Sequence, residues 1–393
     1  MRSTSFAVRI TAISAPNYSA RVAESDRRRH VAQPSEAPGG RNELNPATES
    51  SSPAAPTVTV IMPVYNGGAT LRSSLEPLLE MHRSGEVTEI IVVDDGSDDA
   101  TAAIAAAAAV TVVESGGRLG PGGARNVGAT TATGEVLWFV DADVVVHADA
   151  ARVLVQALRA TGAAAVFGSY DDYPPAPNFL SQYKNLVHRY HHRHAKGEVD
   201  TFWAGCGAIR KQAFAEVGGF DAEKYPHSSI EDIELGLRLR QRGLRIHVEP
   251  ALLATHLKVW RLANLLHTEV RRRAVPWSRL IIAHGWWSRS LNMEHGERFR
   301  ALLAACWLLA LLLAAAGLAP VWPALLLLAV IAVANWRLFT YFRQRRGTLF
   351  AIGGVLYHQF YYLYSAAAFA YSLAAYRWSA IRQRFASRHS SAR

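Results

Sequence analysis

From Thr57 onward the chain alternates short β-branched apolar runs with longer stretches whose apolar positions recur at helical spacing. Val58–Met62, Glu89–Val93, Val110–Val113, Val136–Val140 and Ala163–Phe167 read as strands, each a brief apolar run bounded by polar or glycine-rich residues. Leu71–Met81, the alanine-rich Thr101–Ala109, Ala124–Thr131 and Ala151–Ala160 read as the helices between them. Strand, helix, strand repeated at this spacing predicts an α/β domain whose parallel sheet is covered by helices on both faces. Ligands of such sheets bind at the carboxyl ends of the strands. Polar side chains gather at those ends: Tyr65-Asn66 after the first strand, Asp94-Asp95 after the second, and Asp141 and Asp143 after the fourth.

The C-terminal third changes character. Ala301–Ala319 is 19 residues without a charge, close to the roughly 20 needed to cross a bilayer. Pro320–Pro323 makes a turn, and Ala324–Phe342 runs back with Arg337 placed to snorkel. A third apolar stretch, Leu349–Tyr376, either crosses again or forms a re-entrant or interfacial helix, which Gly353-Gly354 and His358-Gln359 would suit. A crossing would put Arg377, Arg382, Arg384, Arg388 and Arg393 outside, against the positive-inside tendency. The expected organisation is a disordered leader at 1–56, the α/β domain at 57–257, an interfacial segment at 258–299, a membrane region of two to three helices at 300–376, and a basic tail at 377–393. The leader has no apolar signal-peptide core, which leaves the α/β domain in the cytoplasm.

Charge supports that division. The net +10 separates into +2 for residues 1–56, −7 for 57–257 and +15 for 258–393. The basic excess thus lies beside the apolar stretches, as in a membrane protein, and argues against a nucleic-acid partner. Arg298 and Arg300 flank the first span and Arg343, Arg345 and Arg346 the second, so both clusters fall on the cytoplasmic side. Two cysteines, Cys206 and Cys306, exclude a disulfide framework or a cysteine zinc site.

The acidic clusters carry the candidate chemistry. Asp141-Ala142-Asp143 leaves an apolar strand, so two carboxylates can turn toward one ligand, and hard divalent cations take one or two such carboxylates together with substrate phosphates. A bare Asp-x-Asp also fills turns; its position in the sheet is what makes it informative. Asp94-Asp95-Gly96-Ser97-Asp98 ends the second strand, with Ser97 or Asp98 expected to cap the next helix. Glu231-Asp232 opens the helical pattern Ile233, Leu235, Leu237, Leu239, where acidic residues also suit a helix N-terminus. His188, His191, His192 and His194 fit one helical face only in part and read as solvated or acceptor-side residues.

As an ordered set, VTVIMPVYN (Val58–Asn66), VVDDGSD (Val92–Asp98), GGARNVG (Gly122–Gly128), FVDAD (Phe139–Asp143), GGFD (Gly218–Asp221) and IED (Ile230–Asp232) resemble family-2 glycosyltransferases of the GT-A fold, of the membrane-anchored bacterial type. The resemblance implies a Rossmann-like GT-A sheet followed by transmembrane helices at the inner membrane. It also implies transfer from a UDP- or GDP-sugar, with Mg²⁺ or Mn²⁺ and inversion, to a lipid-linked or membrane-proximal acceptor. Pro63 and Tyr65 would line the base pocket and Asp95 would accept a hydrogen bond from the base. Arg125, in the glycine-rich loop Gly120–Asn126, would approach the nucleotide. Asp143, assisted by Asp141, would hold the metal, and Asp232, or else Glu231, would be the catalytic base. His256, after the expected strand Arg245–Pro250, is either a third metal ligand or a hydrogen-bonded histidine. The chain departs from processive members, whose Gln-x-x-Arg-Trp signature is replaced by Arg271–Trp277, and so favours a single addition. A processive synthase, a nucleotidyltransferase and a non-catalytic nucleotide-binding scaffold are the competing readings. The basic and aromatic segment Trp260–Trp287 suits an interfacial helix with its arginines toward anionic headgroups.

Overall fold

The structure, a computed structural model, describes residues 55–195, 197–285 and 295–390. The expected leader, apart from its last two positions, lies outside them, as do Trp286, Trp287 and Arg393.

Among the described residues nine strands form one sheet in the order β3 (Thr111–Glu114), β2 (Glu89–Asp94), β1 (Val58–Val64), β4 (Val136–Val140), β8 (Cys206–Arg210), β6 (Ala165–Tyr170), β9 (Ile246–His256), β5 (Val144–Val146), with β7 (Gly197–Val199) also paired to β9. At its centre β1 (Val58–Val64) runs parallel to β2 (Glu89–Asp94) and β4 (Val136–Val140), and β3 (Thr111–Glu114) extends that parallel half. β1 is buried on both faces. Val60 and Met62 pack with Leu75 and Leu78 of α1 (Leu71–Arg83), whereas Ile61 packs on the opposite side with Phe139 and Ala124. Each such fully buried side chain contributes about 1.5–3 kcal/mol. Pro63 lies beyond the last β1–β4 pair, Ile61 with Phe139, so its missing N–H falls where β4 has left the ladder.

The second half of the sheet departs from the all-parallel expectation. β8 (Cys206–Arg210) runs antiparallel between β4 and β6 (Ala165–Tyr170). β6 is parallel to β9 (Ile246–His256), and β5 (Val144–Val146) and β7 (Gly197–Val199) pair with β9 antiparallel. Apolar runs reveal that strands exist but not which way they run.

Two local expectations are also corrected. The glycine-rich stretch is the first turn of α3 (Gly120–Thr131), which follows the short α2 (Thr101–Ala107), and is not a loop. Gly120 has φ +77°, and a Cβ there would lie 2.3 Å from the Pro226 carbonyl oxygen, so only glycine fits. Neither Ser97 nor Asp98 caps α2. The Ser97 hydroxyl accepts from the Asn66 N–H (3.0 Å), the Asp98 N–H donates to Asn66 Oδ1 (3.0 Å), and Asp99 Oδ1 accepts from the Thr101 N–H (2.9 Å). These residues latch the β1 and β2 loops together instead.

Beyond β6 and α4 (Ala150–Thr161), helices α5 (Phe179–His194), α6 (Lys211–Glu216) and α7 (Glu231–Gln241) complete the α/β domain. After β9 come α8 (Leu262–Leu266), a π-helical stretch His267–Ala274 and α9 (Val275–His284). Four helices follow: α10 (His295–Ala315), α11 (Trp322–Ala334), α12 (Trp336–Arg346) and α13 (Thr348–Ser390). In α10, Gly296–Ala315 is long and apolar enough to cross a membrane, and almost none of it is buried.

The expected second span is a pair of helices bent where they meet, and the expected third is not among the candidate spans of the described residues. α11 and α12 meet at 78°, and the 13 residues of α11 reach only about 20 Å, short of the roughly 30 Å hydrocarbon core. The bend sits at buried Asn335, whose side chain donates to the Ile331 carbonyl (3.1 Å) and accepts from the Tyr362 hydroxyl (3.1 Å), while Arg300 Nε donates to the Ala334 carbonyl (3.1 Å). α13 is one continuous helix of 43 residues with no break within Leu349–Tyr376, and it is not apolar enough to count among the candidate spans. Gly353 and Gly354 let Phe179 and Phe342 approach its backbone, and His358 Nδ1 pairs with the Tyr183 hydroxyl of α5 (2.6 Å). Arg345 and Arg346 do not face outward: Arg345 pairs with Asp172 (3.1 Å) and Arg346 with Gln182 and the Asp172 carbonyl, which docks α12 on the α/β domain. The described helices therefore contain one candidate span, or two if the bent pair counts as one, and do not support a three-pass anchor.

Candidate active site

The register of the sheet builds the cleft. Because β8 is antiparallel to β4, Val140 pairs with Cys206, and the residues entering β8 sit beside the residues leaving β4. The Asp141 N–H donates to the Gly205 carbonyl (3.2 Å), and the next residue back, Ala204, gives its N–H to Asp232 Oδ2 (3.2 Å). The acidic start of α7 is thereby held against the end of β4.

Arg125 ties these acidic groups together. It projects from α3 with only 4% of its side chain exposed, placing Nη2 2.6 Å from Asp141 Oδ1 and Nη1 3.4 Å from Glu231 Oε1. It was expected to approach the nucleotide; here it is a buried bridge between two carboxylates. The second Glu231 oxygen accepts the Ser229 N–H (2.7 Å), so Glu231 is held by the Arg125 guanidinium and a backbone N–H, whereas Asp232 accepts backbone N–H groups alone, from Ile233 at Oδ1 (2.8 Å) and Ala204 at Oδ2 (3.2 Å). Burial pushes the Asp232 carboxyl up, and the Glu231 charge pushes it further, against the pull of Arg125 and Arg273; it settles at about 6.

Asp143 and His256 meet through a second pairing that no sequence spacing shows. β5 pairs antiparallel with β9, Val144 opposite His256, and the Leu257 N–H donates to the Asp143 carbonyl (2.9 Å). His256 Nε2 lies 3.6 Å from Asp143 Oδ2. Burial pushes the Asp143 carboxyl up, but His256 and Lys258 outweigh it and hold the group at about 2. His256 is the last residue of β9 and not, as expected, a residue beyond a shorter strand. Its ring stacks on Tyr170 (4.4 Å), Tyr170 on His188 (4.3 Å), and His188 on His192 (3.8 Å), with Trp203 against Tyr170 and His188. His188 and His192 are thus not solvated. Burial lowers both, His192 to about 4, and His192 Nδ1 lies 2.8 Å from the Gly168 carbonyl. Sequence reasoning missed Tyr170 and Trp203, which carry no motif.

At the ends of β1 and β2, Tyr65 is 38% exposed and the Arg118 guanidinium lies 3.8 Å from its ring centre. Pro63 is buried in β1 opposite Val93. Asp95 is buried with both oxygens engaged: Oδ1 accepts the Leu119 N–H (2.8 Å) and the Ser115 hydroxyl (2.9 Å), and Oδ2 accepts the Gly120 N–H (2.8 Å). It braces the start of α3, where free N–H groups favour an anion. A base edge must compete with these donors.

The expected metal trio does not close. Among the described residues no three His, Cys, Asp or Glu side chains converge to hold a metal ion, and Asp141 is instead paired with Arg125. Asp143 and His256 remain as a pair, the carboxylate ionised and 31% exposed. One carboxylate and one imidazole fit a divalent cation that takes its remaining ligands from substrate phosphates and water.

Residues 59–218 match the family described as Glycosyl transferase family 2. No curated protein matches the chain in sequence. The mannosyltransferase PcManGT from Pyrobaculum calidifontis, solved in complex with GDP-Man and Mn²⁺, is similar in structure: 24% identical, TM-score 0.53, covering 78% of this chain and 88% of that one. Glucosyl-3-phosphoglycerate synthase from Mycobacterium tuberculosis, in complex with Mn²⁺ and uridine-diphosphate-glucose, is 20% identical at a TM-score of 0.43, covering 58% of this chain and 79% of that one. The family match includes the strand ends that carry Asp95, Asp141 and Asp143, so residues 59–218 form a family-2 glycosyltransferase domain on a GT-A fold.

Proposed function

We propose that the enzyme moves a sugar from a UDP- or GDP-sugar to a lipid-linked or membrane-proximal acceptor, one sugar at a time and with inversion. The observation that carries this reading is the Arg125 bridge. It fixes Asp141, at the donor end of the cleft, and Glu231, adjoining Asp232, to one buried guanidinium. Donor and acceptor machinery are then parts of one rigid unit. Tyr65 offers its exposed ring to the base. Asp143 and His256 would hold a divalent cation, which when bound neutralises the charge of the departing diphosphate. Asp232 accepts the proton of the acceptor hydroxyl as its oxygen attacks the anomeric carbon, and the bond from that carbon to the phosphate oxygen breaks with its electron pair leaving on the nucleoside diphosphate. A carboxylate near pH 6 is matched to that task better than an ordinary one. The bound GDP-Man and Mn²⁺ of the Pyrobaculum calidifontis enzyme support a metal-assisted nucleotide-sugar donor.

The acceptor side rests on α10. A helix this apolar and this uncovered, with Leu302, Leu309 and Leu312 exposed, needs lipid against it. Membrane association would keep the cleft beside a lipid-borne acceptor. The test is incubation of the purified chain with labelled UDP- and GDP-sugars, Mn²⁺ and a membrane lipid extract. Nucleoside diphosphate release with label entering the organic phase is expected; label confined to water would move the acceptor to a soluble molecule. In the same assay Asp143→Asn should lose Mn²⁺-stimulated turnover while keeping its fold by circular dichroism, and full Mn²⁺-dependent activity in that variant would remove Asp143 from the metal.

A further inference from the structure

A second cavity, of about 520 Å³, lies between the loop Lys224–Ser229 and the helical segment His267–His284. Lys224, His227, His267, Arg271, Arg272 and Arg279 line it, and no acidic side chain does so among the described residues. Arg271 and Arg279 are exposed, and no ion pair engages either among the described residues. Four of these side chains, Lys224, Arg271, Arg272 and Arg279, are cations, and with no carboxylate in the lining they repel one another until an anion enters. Pro276, Leu280 and Ala283 form an apolar wall on α9, so the hollow also accepts the organic part of its occupant. The π-helical winding of His267–Ala274 brings Arg271 and Arg272 to the rim; such wide turns recur at functional sites.

The cavity is joined to the catalytic cleft. The Ser229 hydroxyl donates to the Arg272 carbonyl (2.5 Å), and the Ser229 N–H donates to Glu231 Oε2 (2.7 Å). One residue of the cavity wall thus holds both the basic stretch and the start of α7, where Asp232 stands. An anion seated here lies on the side of the proton acceptor, whereas the nucleotide ends of β1 and β2 belong to the donor.

We propose that this cavity binds the phosphate group of the acceptor substrate, an inference that rests on the glycosyltransferase reading and narrows its acceptor to phosphate esters or diphosphates. Arginine forks and the smaller Lys224 and His227 donors would share the phosphate oxygens, and the apolar wall would take the adjoining carbon chain.

The test uses the full chain in detergent without added metal, titrated with inorganic pyrophosphate, alongside the double variant Arg271→Gln/Arg279→Gln. Binding of UDP and GDP with Mn²⁺ is measured in both as the donor readout. Pyrophosphate binding should fall at least about tenfold in the variant, since each lost arginine removes a charge-assisted hydrogen bond, with nucleotide binding unchanged. If the double variant fails to fold, Arg279→Gln alone gives the same reading with a smaller loss. Displacement of pyrophosphate from the wild type by phosphatidylcholine vesicles containing phosphatidic acid, and not by plain phosphatidylcholine, assigns the phosphate to a lipid headgroup. Displacement by glycerol 3-phosphate assigns it to a soluble acceptor. Equal pyrophosphate binding in the folded variant and wild type, or displacement by neither probe, overturns the site but not the donor reading. Absence of nucleotide binding in the wild type would overturn that reading instead.

Discussion

Asp232→Asn is expected to lower sugar transfer by about 10²–10⁴-fold, the usual loss for a general base, while nucleotide binding with Mn²⁺ persists. Asparagine keeps the shape and can still accept the Ala204 N–H that orients Asp232, but it cannot take a proton. In the wild type, kcat/KM should fall as pH drops through about 6, where the Asp232 carboxyl protonates. The sign follows from burial and the Glu231 charge, which favour the neutral acid, so the active form dominates only above that pH. The residual activity of Asp232→Asn should lack this limb. A collapse of nucleotide affinity in the variant would make Asp232 a binding residue and Glu231 the better candidate for the base.

Arg125→Met is expected to destabilise the domain by about 3–5 kcal/mol, the range for breaking a buried ion pair from one side. Glu231 is the reason: it is buried and would keep only the Ser229 N–H as partner, while the more exposed Asp141 can relax into water. Chemical denaturation measures the loss directly. Adding Glu231→Gln to Arg125→Met removes the stranded charge and should restore part of the stability. Arg125 also pulls the Asp232 carboxyl down, so in any Arg125→Met protein that stays folded the activity limb should move to higher pH. Equal stability of Arg125→Met and wild type would show that the bridge is not what joins the two halves of the cleft.

Much of this was legible in the sequence where local pattern decides. The apolar runs at Val58, Glu89 and Val136 mark β1, β2 and β4 because each must be buried on both faces, and their polar ends mark the cleft. The ordered motifs from Val58 to Asp232 point to the family that residues 59–218 match. Strand direction was not legible, and the Asp143–His256 pair depends on it, since only the antiparallel β5–β9 pairing brings residues over a hundred positions apart within 3.6 Å. The glycine-rich run at Gly120 has the composition of a loop and begins a helix whose Leu119 and Gly120 N–H groups are satisfied by Asp95, just beyond the end of β2. At the C-terminus, apolarity predicts a straight second span at Ala324–Phe342, and the structure has a bent pair of helices there. The bend at Asn335 is fixed by Arg300 and Tyr362 from other helices, and a hydropathy pattern cannot see partners of that kind.

One measurement tests the central claim most directly: the anomeric configuration of the product, read by proton NMR after transfer from a donor of known configuration. If Asp232 takes the acceptor proton while the acceptor oxygen displaces the nucleoside diphosphate directly, the single displacement gives an inverted product. A retained configuration would require a second displacement or a front-face route, and would contradict the assignment of Asp232 as the base that drives the reaction.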